Sequence, residues 1–238
     1  MKGRESEILL LVFFGTDLLN CVRFPRYSYD SSSSTLTFQA WLGPIQATLV
    51  STLYYGFFLA IGSLPPSIQD RVSIATITKY EEFQGIYTWS ERVPELGLNV
   101  YSDMRSEEVK FVAEVAFLET YEELVQNAKL WLEGNKTVSL VMLVKLEEDP
   151  CYRRPIQDLT ESEFGELEFP PWDEIRNQPF ALSGPYGPAE YKGFKWVGKV
   201  SGFFEFWAPD PVTRLASRIT TRMVSNPLRN VSYPSLPM

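Results

Sequence analysis

An α/β fold, with a central mixed sheet flanked by helices, is predicted by two features of this 238-residue chain. The apolar run Val109 to Val115, the amphipathic run Glu119 to Glu133 and the apolar run Thr137 to Leu146 follow one another, as a strand, a crossover helix and a second strand do. Such a unit implies a right-handed parallel pair. Hydrophobic residues make up 45% of the chain and aromatics 14%, enough to bury one substantial core. The length therefore fits one domain with decorations and a sheet of about four to six strands.

The elements follow in order. Residues 1–23 form an N-terminal arm in which Ile8 to Phe14 is apolar, while Glu5 and Glu7 stand where a secretory signal carries positive charge. Asp30 and the serines to Ser34 make a turn, and Thr35 to Trp41 alternates like a strand. No residue from Ser31 to Gln69 is charged, so Ile45 to Leu64 has the length and composition to cross a bilayer. Gln46, Thr48, Ser51, Thr52 and Gly56 point instead to a buried core helix, opened by Gly43-Pro44, ended by Gly62 and Pro65-Pro66, and facing the sheet with Leu49, Leu53, Phe57 and Ile61. A helical or strand stretch to Tyr80 leads to a short aromatic strand, Phe83 to Trp89, then to the strand Leu96 to Tyr101 and a charged turn, Ser102 to Glu108.

Beyond the strand–helix–strand unit, Cys151 to Pro188 is rich in proline, glycine and acidic residues and reads as a loop-rich excursion at about residues 150–190. Phe194 to Trp207 returns as a strand or hairpin anchored by Phe203, Phe204, Phe206 and Trp207, and residues 208–238 form a C-terminal tail.

Composition narrows the chemistry. The chain has no histidine, which removes serine–histidine and cysteine–histidine catalysis and histidine-ligated zinc. Thirty Asp and Glu against twenty-two Lys and Arg leave a net charge of −8, which disfavours a bare nucleic-acid coat and favours hard cations held by carboxylates. Cys21 and Cys151 make neither a disulfide framework nor a cysteine-rich zinc site, so the expected setting is a reducing compartment, cytoplasmic or nuclear.

Glu114 is the leading functional candidate, because a carboxylate at the end of a buried strand is costly unless it is paired or holds a cation. A structural ion pair with Lys110 or Lys129 accounts for it equally well. Glu119, Glu122 and Glu123 crowd the start of the following helix, where the helix dipole favours negative charge. Tyr87 and Trp89 have the rings to stack on bases or to fill a core, and Arg153 and Arg154 the charge to hold phosphate or to solvate a loop.

The segment from Glu114 through Glu119-Thr-Tyr-Glu-Glu-Leu to Trp131-Leu-Glu-Gly134, followed by Leu140-Val-Met-Leu-Val-Lys-Leu146, resembles the core of fungal restriction-endonuclease-like proteins of the PD-(D/E)XK superfamily. Tyr29 to Phe38 resembles the strand that opens that domain and Trp196 to Trp207 its closing strand, so the likeness covers residues 24–207. The resemblance implies a magnesium-dependent nuclease or a catalytically impaired relative, with nucleic acid or a protein as partner. It puts the two metal-binding carboxylates on Glu95, in Pro94-Glu95, and on Glu114. The lysine expected two residues after Glu114 is replaced by Ala116, leaving Lys129 as the candidate lysine and Lys145 as the next. The acidic residue expected on the opening helix is also missing, with Gln46 and Ser51 as its polar substitutes. A protein-interaction module on the same fold is the alternative function.

Overall fold

The computed structural model describes residues 26–39, 44–103, 106–117, 119–151, 159–167, 181–182, 187–191, 193–219 and 223–224. The N-terminal arm with Ile8 to Phe14, the Arg153-Arg154 pair, Cys21 and Asn226 onward lie outside them. The chain divides into two compact units, Met1–Lys145 with Phe204–Arg222, and Leu146–Phe203 with Met223–Met238.

The first unit opens with a hairpin, β1 (Arg26–Asp30) and β2 (Thr35–Gln39), turned by Asp30. Its carboxylate accepts from the Ser32 backbone at 2.8 Å and the Ser32 hydroxyl at 2.7 Å. Then come α1 (Pro44–Gly62), the short α2 (Pro66–Gln69), β3 (Val72–Ala75), β4 (Leu96–Asp103), β5 (Ser106–Ala116), α3 (Tyr121–Gly134) and β6 (Leu140–Asp149). Two further strands close the sheet, β10 (Lys199–Pro209) and β11 (Ala216–Arg218), numbered after three short strands of the second unit. The order is β11-β10-β6-β5-β4-β3, antiparallel from β3 to β5 and parallel from β5 to β6. A mixed sheet with this six-strand path and the crossover helix α3 is the α/β arrangement the periodicity predicts.

Alternation along the strands builds two core layers. Phe111 and Ala113 of β5, with Leu140 and Met142 of β6, pack toward α1 beside Leu53 and Phe57. Val112 and Ala116, with Val141 and Leu143, pack toward α3 beside Leu124, Ala128 and Trp131. Glu114 and Lys145 share the parity of this second set, so two charged residues enter the α3 side of the sheet. α3 starts at Thr120, whose hydroxyl accepts from the Glu123 backbone at 3.2 Å while Glu123 accepts from the Thr120 backbone at 2.7 Å.

Four expectations need correction. Phe83 to Trp89 is not a strand but holds a 3-10 turn, Gly85–Tyr87. Gly85 has φ +64°, which a strand excludes, and the Gln84 N–H donates to the last carbonyl of α3, Gly134, at 2.8 Å. Phe83 and Tyr87 are buried against Gly134, where a Cβ would stand 3.0 to 3.1 Å from them, whereas Trp89 is 80% exposed. Ser102 to Glu108 is also strand on both sides of its tip.

The helix in the uncharged stretch is covered on one side only. Leu53 and Phe57 meet the sheet, Phe57 lying 5.1 Å from the Phe111 ring, and Leu49 and Ile61 are half-buried, but Tyr55, Phe58 and Leu59 are exposed. One sheet face covers one helix stripe, and no described element covers the other. The boundary expected at residue 207 falls inside β10, because the Asp210 carboxylate turns the chain by accepting from the Val212 and Thr213 backbones and returns it as β11.

In the second unit, the described part of the excursion holds α4 (Glu161–Glu166) and an antiparallel sheet of β7 (Ala181–Leu182), β8 (Ala189–Tyr191) and β9 (Phe194–Val197). Thr160 and Glu163 cap α4 reciprocally.

Candidate functional site

Register brings the two expected carboxylates together. Leu96 pairs with Ala113, so Glu95, one residue before β4, and Glu114, one residue after Ala113, become neighbours across the antiparallel pair. Both are buried, at 7% and 4% exposure, and both line a small cavity of about 30 Å³ with Arg26, Arg92, Glu119 and Ser28 and Thr37 of the hairpin. That space accommodates about one or two waters.

Each carboxylate has an arginine. Arg92 grips Glu114 with two hydrogen bonds, Nε to Oε1 at 3.3 Å and Nη2 to Oε2 at 3.1 Å, and the Trp131 indole donates to Oε1 at 2.6 Å. Arg26 lies 3.6 Å from Glu95, whose other oxygen accepts from Gln46 Nε2 at 3.2 Å. The same Gln46 amide donates to the Val115 carbonyl at 2.8 Å, tying the first turn of α1 to the end of β5. At the place where the resemblance implies an acid, an amide donates to a carboxylate that an acid would repel. Ser51, the other substitute, is half-buried and does not line the cavity.

Backbone pairing delivers both arginines. Tyr29 and Glu91 exchange N–H to carbonyl bonds at 2.8 Å, anchoring the hairpin that begins with Arg26. Tyr80 and Arg92 exchange a second pair at 2.8 and 2.9 Å, which fixes the base of the Arg92 side chain. Burial alone pulls the Arg92 guanidinium down, but the Glu114 charge and its hydrogen bonds outweigh burial and hold it above its ordinary value.

The lysines separate. Lys129 is half-buried in the middle of α3 and does not line the cavity. Lys145 stands beside Ala116 in the parallel register, is 9% exposed, and donates from Nζ to the Phe117 carbonyl at 3.0 Å. The fold thus brings a lysine from the neighbouring strand to the side of Ala116. Lys110, expected as a partner of Glu114, pairs with Glu108 at 2.6 Å.

Glu119 is the third acid of the cavity, a role its place near a helix start did not single out. Burial raises its carboxyl above the ordinary range, with Arg92 opposing and the Glu114 charge adding to the rise. A carboxyl with a raised folded-state pKa makes the protein less stable as pH climbs from the unfolded value near 4.5 through the folded one. Glu119→Gln should therefore melt higher than the parent at pH 7 and lose that advantage below pH 4.5, where both states of the parent are protonated. Melting curves across that range check it, and a difference independent of pH would contradict it.

Three acids, Glu95, Glu114 and Glu119, thus line one cavity with two bases, Arg26 and Arg92, while the Lys145 charge acts on Glu119 from outside it. Carboxylate oxygens suit a hard cation such as magnesium. In this arrangement, however, guanidinium groups already take up the charge of Glu95 and Glu114, and among the described residues no group of three or more Asp, Glu, His or Cys is arranged to hold a metal ion. Sequence inspection missed Arg92 and Arg26. Arg92 lies three residues before Glu95, and Arg26 is drawn in only by a hairpin that pairs far along the chain. Comparisons with family models, curated proteins and solved structures find no match for this chain.

Proposed function

We propose that this chain is a catalytically impaired relative of the metal-dependent nucleases, with a restriction-endonuclease-like arrangement of its sheet. The reading is supported by the order α1-β3-β4-β5-α3-β6 and by the gathering of Gln46, Glu95, Glu114 and Lys145 at one sheet end. The observation that carries the impairment is the arginine on each carboxylate. A divalent ion would polarise a phosphate and activate a water. To bind here it would have to displace Arg92 from a two-bond grip on Glu114, which is buried and charge-assisted. Glu95 and Glu114 would then be the ligands, and Lys145 would stand closer to the reacting end of the sheet than Lys129.

The test is cleavage of supercoiled plasmid and single-stranded RNA with millimolar magnesium or manganese. No cleavage is expected, nor any rise in melting temperature with either ion. Metal-dependent cleavage that Glu114→Gln abolishes would make the chain a working nuclease. The second reading, a protein-interaction module on the same fold, is favoured by the uncovered apolar side of α1.

A further inference from the structure

A second pocket, of about 400 Å³, opens beside the end of α3 and the β4–β5 hairpin and shares no lining residue with the cavity of Glu95 and Glu114. Its volume falls within the roughly 300–1,000 Å³ of small-molecule sites. Asn135, the residue that closes α3, lines this pocket and is 7% exposed. Its Oδ1 accepts from the Thr137 backbone at 2.9 Å and from the Thr137 hydroxyl at 2.7 Å. A backbone N–H only donates, so the amide has one orientation, and Nδ2 is left without an acceptor among the described residues. A nearly buried donor in that position calls for an acceptor from an occupant.

Glu107 supplies the complementary group. The Tyr80 hydroxyl donates to Asn99 Oδ1 at 2.8 Å, Asn99 Nδ2 donates to Glu107 Oε1 at 2.6 Å, and the Tyr101 hydroxyl donates to the same Oε1 at 2.9 Å. Asn99 is 1% exposed, so the side chain that aims Glu107 is itself locked inside the fold. Oε1 thus uses both lone pairs, and Oε2 remains as an acceptor. Lys79 is taken by Glu81 and Glu91. That leaves Glu82, Glu107 and Lys136 as the pocket's charges without an ion pair among the described residues, two acids and one base. We propose that this pocket takes a free dibasic amino acid, its carboxylate on Lys136 and Asn135 and its two cationic groups on Glu82 and Glu107.

Charge decides the class of ligand. A phosphate would meet two carboxylates for one lysine, and like charges repel it. A hard metal ion finds no use for an amide N–H or an ammonium, which cannot ligate it. A simple amine would leave Asn135 and Lys136 unanswered, and an apolar molecule would leave every one of these groups unpaired. A dibasic amino acid carries one negative and two positive groups, one for each charge left in the pocket. Val109 and Tyr80 line the same space and give its alkyl stem an apolar wall.

Isothermal titration calorimetry of the full chain with L-arginine tests the site. Saturable binding is expected, with a Kd of roughly a millimolar or below for so small a ligand. Agmatine, which lacks the carboxylate, and citrulline, which puts an uncharged group in place of the guanidinium, should each bind about tenfold more weakly or worse, the loss of one charged hydrogen bond. Glu107→Gln and Lys136→Gln should weaken L-arginine by a similar factor, and both should melt close to the parent because both positions are exposed. No saturable binding of L-arginine at millimolar concentration overturns the proposal, as does agmatine or citrulline binding as well as L-arginine, or either variant binding like the parent. Tighter binding of arginine blocked at both ends, Nα-acetyl-L-arginine amide, would overturn it in favour of a basic side chain of a protein partner.

Discussion

Arg92→Ala should destabilise the protein by about 3–5 kcal/mol, the cost of leaving a buried charge without its partner. Glu114 is 4% exposed, and without the guanidinium it keeps only the Trp131 indole among the side-chain donors described for it. For a chain of this size that cost lowers the melting temperature by roughly 6–20 °C. Adding Glu114→Gln to Arg92→Ala should recover most of the loss, because the amide keeps an acceptor for Trp131 and removes the charge. The single variant should also gain a response not expected of the parent, a melting temperature that rises with manganese. Glu114 would then be free beside Glu95 and Glu119, and an ion that binds only the folded state stabilises it. Calorimetry of the parent, the single and the double variant, with and without manganese, gives all three comparisons. An Arg92→Ala protein that melts with the parent would show that the pair does not carry Glu114. A destabilised variant indifferent to manganese would show that the carboxylates do not converge on an ion even when freed.

Trp131 joins the core to the site, and its replacements should separate those roles. The side chain is fully buried, meets Tyr80 edge-on at 5.4 Å and Phe83 at the same distance, and donates to Glu114. Trp131→Ala removes all of this and should cost about 3–5 kcal/mol for the lost packing, plus about 1.5–3 kcal/mol for the lost bond to a charged acceptor. Trp131→Phe keeps most of the packing and should lose mainly the second amount. Urea unfolding at pH 7 measures both. Equal losses in the two variants would mean that the indole N–H is the whole contribution and the ring contacts are incidental.

Parts of the fold that depend on neighbours in sequence were legible without coordinates. Val109 to Val115, the helix after it and Leu140 to Leu146 carry strong, opposite periodicities, and their parallel pairing follows from chain handedness. Thr120 and Glu123 also mark their cap locally, three residues apart. The aromatic run Phe83 to Trp89 misled because alternation of large residues is shared by strands and by turns packed on a helix end. Only the contact of Gln84 with Gly134 distinguishes them. The uncharged stretch showed that a helix would form there, but not how much of it the sheet would cover.

Residue types alone limit the chemistry within reach: no imidazole, an acidic balance and two carboxylates near strand ends. Periodicity sets the core strand–helix–strand unit as well, since burial is written locally along the chain. The partners of those carboxylates come from long-range pairing. Arg26 reaches Glu95 across 69 residues, Arg92 is turned onto Glu114 by its pairing with Tyr80, and Lys145 meets Ala116 through the register of a parallel pair. An ion pair depends on distance in space, and in this chain long-range strand pairing sets those distances, which leaves no periodic trace in the sequence.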